Sequence, residues 1–74
     1  MTTLAEDYLQ QFSWKAVWNY HHNLERGQRI GQAFFNALPE HKQHLLEMTL
    51  YDPFYKNDSG SVEKAIEFLL DNQF

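Results

Sequence analysis

The 74-residue chain contains no cysteine, which excludes disulfides, thiolate metal sites and a cysteine nucleophile together. Glycine and proline are few, three and two, and no glycine-rich loop follows a strand, so there is no nucleotide-loop signal. No apolar run approaches the ~20 residues needed to span a bilayer. The N-terminal stretch has neither the basic start nor the apolar core of a signal peptide, so the expected compartment is a reducing cytoplasm. Cations are scarce: six Lys and Arg stand against ten Asp and Glu, for a formal charge of −4. That balance opposes phosphate binding, which needs cations to displace counterions. The carboxylates stand singly or as the pair Glu6-Asp7, with no dense run imitating a phosphate ladder. β-Branched residues are sparse and strict apolar/polar alternation never persists, so strands are not expected.

What remains is 43% apolar and 16% aromatic, enough to drive collapse. The length suits one domain, residues 1–74, and a domain of that size buries only ~60% of its unfolded surface. With no repeats and no low-complexity stretch, the punctuating glycines and prolines divide the chain into helical segments. The expected fold is all-α: four or five short helices in a compact bundle around a central helix at about 24–38.

The first helix is expected over about 3–12, with Thr2 or Thr3 as cap and Glu6 in capping-box register to Thr3. Leu4, Tyr8, Leu9 and Phe12 share one side. Ser13 can cap a new stripe of Trp14, Val17, Trp18 and His21. Whether Phe12 and Trp14 belong to one bent helix or two is left open by the sequence. Asn23 reads as a further cap, opening the central helix. There Leu24, Gly27, Ile30, Gly31, Phe34, Phe35 and Leu38 fall on one face, with Glu25, Arg29, Gln32 and Asn36 opposite. Pro39 stops that helix and opens a fourth as its first residue, with His41, Leu45 and Met48 on one side and Leu46 at the edge. Asp52-Pro53 starts a short turn over 53–55, and residues 56–60 carry polar turn chemistry. Ser61 is expected to cap the last helix, whose apolar face is Val62, Ala65, Ile66, Leu69 and Leu70 with Phe68. Phe74 can fold back as a plug.

Gly27 and Gly31 each cost ~1 kcal/mol against alanine inside a helix, and close approach is the physical return. The expectation is that a Trp or Phe of the chain nests in this notch, with a symmetric dimer through it as the alternative. Leucine at both positions should then wreck the fold. Asp52 should satisfy backbone donors and Phe54 plug the core. Tyr51 and Tyr55 either flank that plug or form an exposed aromatic knob for a partner.

The four histidines include His41 and His44 three apart and the adjacent His21-His22, but no zinc-binding pattern completes a site, so they read as surface side chains. No cofactor motif is present. Serines 13, 59 and 61 occupy cap positions, and no carboxylate pair is placed for acid–base work, so catalysis is not expected. Arg26 and Arg29, with Asn23, Gln28 and Gln32, form the main cationic and amide patch. Arg29 is expected in solvent and Arg26 beside Glu25 or Asp52.

The run Gly31-Gln32-Ala33-Phe34-Phe35-Asn36-Ala37-Leu38, then Thr49-Leu50-Tyr51-Asp52-Pro53-Phe54-Tyr55, resembles a pattern of small helical phage and prophage proteins. In these, G-Q-x-x-F-N-x-L is followed about a dozen residues later by T-x-x-D-P-F-Y and a short terminal helix. The likeness spans roughly residues 26–70 and implies no activity. It implies only the habit of small phage accessory proteins, which bind and redirect a larger host or viral protein. Where those sequences commonly carry a glycine before the threonine, this chain has Met48. Asn36 is expected to bond the loop ahead of Asp52, whereas Gln32 stays open between loop and partner.

Together these readings point to a non-enzymatic module that presents an aromatic and polar surface to another protein. Its contact residues would be Trp14, Trp18, Arg29, Gln32, Tyr51 and Tyr55, with Gly27, Gly31, Asn36, Asp52, Pro53 and Phe54 as the structural signature. Homodimerisation is a further expectation, because the aromatic content exceeds what so small a core hides. The alternative is a small nucleic-acid-associated regulator using Arg26 and Arg29 with Lys15 and Lys42.

Overall fold

Local capping chemistry and a shared aromatic core account for the architecture. The computed structural model describes residues 4–72. Five helices follow in order: α1 Leu4–Gln10, α2 Trp14–Glu25, α3 Ile30–Ala37, α4 Glu40–Glu47 and α5 Ser59–Asp71. The all-α bundle expected from the sequence is the fold. The Thr2 or Thr3 cap and the Phe74 plug lie outside the described residues.

α1 and α2 are separate helices. The Ser13 hydroxyl accepts the Ala16 amide at 3.1 Å, capping α2 as its spacing suggests. α2 then runs straight through Asn23, which is no cap: its side-chain amide donates to the Ala33 carbonyl on α3. The helix ends at Glu25, and Gly27, just past the Arg26 cap, has a φ of +88°, in the left-handed region. Gly27 N–H donates to Leu24 O, and Gln28 N–H reaches back to Asn23 O. This pair of bonds is the Schellman closure that glycine permits.

The central helix is therefore shorter than 24–38. α3 occupies Ile30–Ala37, and Leu24 and Gly27 belong to the end of α2 and the turn after it. It remains central in packing, lying against both α2 and α5. Phe34 is fully buried and faces Tyr8 of α1 and Tyr20 of α2, with ring centroids 6.2 and 6.4 Å away. The core draws on every helix: Leu9, Val17, Phe35, Leu46, Ile66 and Leu69 join those three rings.

Pro39 sits one residue before α4 rather than inside it, and Leu46 rather than Leu45 or Met48 anchors that helix in the core. Gln43 of α4 donates to the carbonyls of Phe35 and Leu38, satisfying two acceptors at the end of α3. α5 starts at Ser59. Its cap is Asp58, which accepts both the amide and the hydroxyl of Ser61, so Ser61 is the capped residue and not the cap. Val62, Ala65, Ile66 and Leu69 are buried as expected, Phe68 is half-buried, and Leu70 is largely outside.

The loop between α4 and α5 folds back over the start of α3. Asp52 accepts the Phe54 amide at 2.9 Å, Lys56 N–H donates to Pro53 O, and Pro53 is buried. Arg29 gives α3 no side-chain cap. The loop supplies one instead: Asn57 Oδ1 accepts Ile30 N–H and Lys56 O accepts Gly31 N–H, both at 3.0 Å.

Candidate functional site

Gly31 is where the loop meets the helix. A Cβ there would collide with the Pro53 carbonyl oxygen and lie 2.7 Å from that of Lys56. The close approach expected at Gly31 is therefore present, but it is made by loop backbone, and no aromatic ring nests there. Gly27 takes no part, since a Cβ at that position would meet nothing within 4 Å. The paired notch and the dimer through it are accordingly replaced by two glycines with separate causes. Phe54 lies edge-on to Phe35 at 5.4 Å, completing the lock. Gly31, Asp52, Pro53 and Phe54 thus join in one contact between loop and helix. Asn36 does not: its amide donates to Gln28 across the α2–α3 turn.

The two tryptophans stand apart from the core. α2 buries Ala16, Val17 and Tyr20, while Trp14 is 70% and Trp18 61% exposed. The stripe of Trp14, Val17, Trp18 and His21 is thus split, with Val17 alone facing inward. At about 100° per residue, Trp14, Trp18, His22, Lys15 and Glu25 share the sector opposite that buried edge. Its flanks are set by tertiary bonds. Glu6 of α1 holds His21 at 3.4 Å on one side, and Asn23 is tied to α3 on the other. Trp18 stacks on His22 with centroids 4.9 Å apart and planes 8° from parallel, so the indole is oriented without being covered.

A second apolar group lies on the α4–α5 connection, where Met48 and Leu50 point outward. Tyr51 is half in structural use, stacked on Phe68 at 5.1 Å, whereas Tyr55 is exposed with its ring edge-on to Phe54. Among the described residues no ring contact joins Tyr51 or Tyr55 to the tryptophans, so the six expected contact residues do not form one cluster. Arg29 and Arg26 are exposed on the α2–α3 turn, and Gln32 is half-buried. Neither arginine forms an ion pair among the described residues, so Arg26 is not held by Glu25 or Asp52.

A cleft of about 220 Å³ is bordered by Leu4, Tyr20, Leu24, Ile30 and Val62, with Ser59 and Glu63 as its polar members. Another, of about 270 Å³, lies among Phe35, Phe54, Tyr55, Glu47 and Asp52. Among the described residues no group of three His, Asp or Glu side chains could hold a metal ion. His44 lies between Glu47 and Glu40, whose hydrogen bonds raise its pKa above the ordinary histidine value. No helix among the described residues is long and apolar enough to cross a membrane.

Residue type alone marks Trp14 and Trp18 as contact residues, but it does not mark His22 and Glu25. Their signal was present in the i, i+4, i+8 spacing of Trp14, Trp18 and His22, once α2 is continued through Asn23. Compared with protein-family models, curated proteins and solved structures, the chain matches none of them.

Proposed function

We propose that this chain is a non-enzymatic protein-interaction module whose contact surface is the outward face of α2, an accessory protein of the phage type that its Gly31–Leu38 and Thr49–Tyr55 pattern resembles. The observation that carries the reading is the exposure of Trp14 and Trp18 together on the solvent side of a helix whose other side supplies the core. Indoles left in water forgo the burial that makes aromatic side chains valuable, and tryptophan is enriched among residues that dominate binding energies. The fold does not need them there, because Val17 and Tyr20 already attach α2 to α1 and α3. Trp18 is also restrained by His22, which lowers the entropy lost when a partner covers it.

Fluorescence tests the reading. In the isolated chain at low concentration both indoles should emit as solvated groups and be quenched by iodide or acrylamide. Trp14→Ser with Trp18→Ser should leave the melting temperature within about 3 °C of the parent, as surface substitutions do. The same pair, which leaves no indole to report, should abolish partner binding measured by calorimetry, whereas binding to the parent should shift its indole emission to the blue. A parent chain whose indoles are shielded while monomeric, or a doubly substituted chain that fails to fold, would assign the tryptophans to the core and remove the surface.

A further inference from the structure

Three aromatic rings and two carboxylates border the cleft of about 270 Å³ beside the α4–α5 connection, and no lysine or arginine joins them. The turn at Pro53, held by the bond from Phe54 N–H to Asp52, brings Phe54 onto Phe35 of α3 and Tyr55 onto Phe54. Glu47, the last residue of α4, reaches the same cleft. Phe54 stands nearly perpendicular to both other rings, at 83° to Phe35 and at 79° to Tyr55, whose centroid is 5.0 Å away. Phe35 is buried, Phe54 half-buried and Tyr55 79% exposed, so the rings grade from floor to rim.

The carboxylates are left with spare acceptors. Glu47 engages His44 through Oε2 at 3.2 Å, and Asp52 accepts the Phe54 amide through Oδ1. Among the described residues no lysine or arginine forms an ion pair with either. Lys56 and Lys64 line a different recess, which Asp52 also borders. Glu47 Oε1 and Asp52 Oδ2 therefore have no hydrogen bond among the described residues. The cleft concentrates negative charge on a chain whose formal charge is already −4.

We propose that this cleft binds an alkylammonium group, the end of a lysine side chain presented by a partner protein. A guest seated in the corner between perpendicular rings touches the face of each, and ring faces attract cations while covering the methylenes of the stem. The ammonium carries three N–H donors, enough to reach both spare carboxylate oxygens and leave one for water. A guanidinium stacks flat on one face and cannot lie along two perpendicular rings at once, whereas an ammonium is compact and rotatable. An anion is repelled here, and a neutral apolar guest strips water from the carboxylates without replacing it. With Tyr55 mostly in water, the cleft covers the end of a side chain, not a whole small molecule, whose pockets enclose most of its surface. No residue of this cleft belongs to the tryptophan face, so the two surfaces stand or fall separately.

NMR titration of the full chain with Nα-acetyl-lysine methylamide tests the site, with circular dichroism melts checking each variant's fold. Ring protons of Phe35, Phe54 and Tyr55 should shift together and approach saturation by about 50 mM. The uncharged norleucine analogue should leave them in place. Tyr55→Ala should weaken binding roughly fivefold, the worth of one exposed cation–π contact. Glu47→Gln with Asp52→Asn keeps an acceptor for Phe54 N–H and should weaken binding roughly tenfold. Rings that ignore the lysine compound, rings that answer the norleucine analogue equally, or folded variants that bind as the parent does overturn the ammonium site. Tighter binding of Nα-acetyl-arginine methylamide than of the lysine compound overturns the choice of cation.

Discussion

Gly31 and Gly27 lie four positions apart in the chain and are required for unrelated reasons. At Gly31 the missing side chain makes room for two loop carbonyls, one of which receives the residue's own amide hydrogen. At Gly27 the space is open, and it is the backbone conformation that disfavours other residues. The two substitutions should separate in a thermal melt. Gly31→Ala sets a methyl group against backbone that cannot rotate away and should cost roughly 3 kcal/mol, enough to lower the melting temperature by ~15 °C. Gly27→Ala should cost about 1 kcal/mol and only a few degrees. Equal shifts would contradict the assignment. Both glycines were visible as anomalies in the sequence, but their shared i, i+4 spacing suggested one cause. Spacing reports a common face only inside one helix, and the chain turns between them.

At the scale of elements, helices here are finished by segments distant in sequence. α3 is preceded by Arg29, which lacks a short polar side chain for capping, and its first amides are satisfied by Asn57 and Lys56. Its last carbonyls are met by Gln43 of the next helix. Gly31 and Asp52-Pro53-Phe54 are on this basis two halves of one loop-to-helix closure. Asn57→Ala should remove an acceptor from Ile30 N–H and cost about 1 kcal/mol, the ordinary worth of an N-cap. If hydrogen exchange at Ile30 and Gly31 is not accelerated in that variant, the loop does not cap the helix. The local caps were legible: Ser13 and the Asp52 turn use partners within three residues. The Asn57 cap was not, because its acceptor and donor are 27 residues apart.

For the whole molecule, the surface of 4963 Å² is close to the ~4,800 Å² of a folded monomer of this mass, and the Cα radius of gyration of 11.0 Å is that of a collapsed chain. Such collapse places phenols inside. Burial raises the pKa of Tyr8, and burial followed by the nearby Glu6 carboxylate raises that of Tyr20. A group with a raised folded pKa contributes stability that is complete below its unfolded pKa, here about 10, and lost as pH climbs through the folded value. The melting temperature should therefore fall more steeply above about pH 10 in the parent than in Tyr8→Phe or Tyr20→Phe. Parallel pH profiles for parent and variants would show that neither phenol is held neutral by the core.

The amino-acid order by itself determined that this protein is helical, where Ser13 starts a helix, where Pro39 divides two, and that Asp52 makes a turn. These features depend on donors, acceptors and dihedral limits within a few residues of one another. Only the tertiary structure decided which side of α2 is covered. That helix carries aromatic residues around much of its circumference, so its own periodicity offers both Val17 with Tyr20 and Trp14 with Trp18. The choice falls to α1 and α3, which pack on the first pair through Phe34 and leave the tryptophans in water.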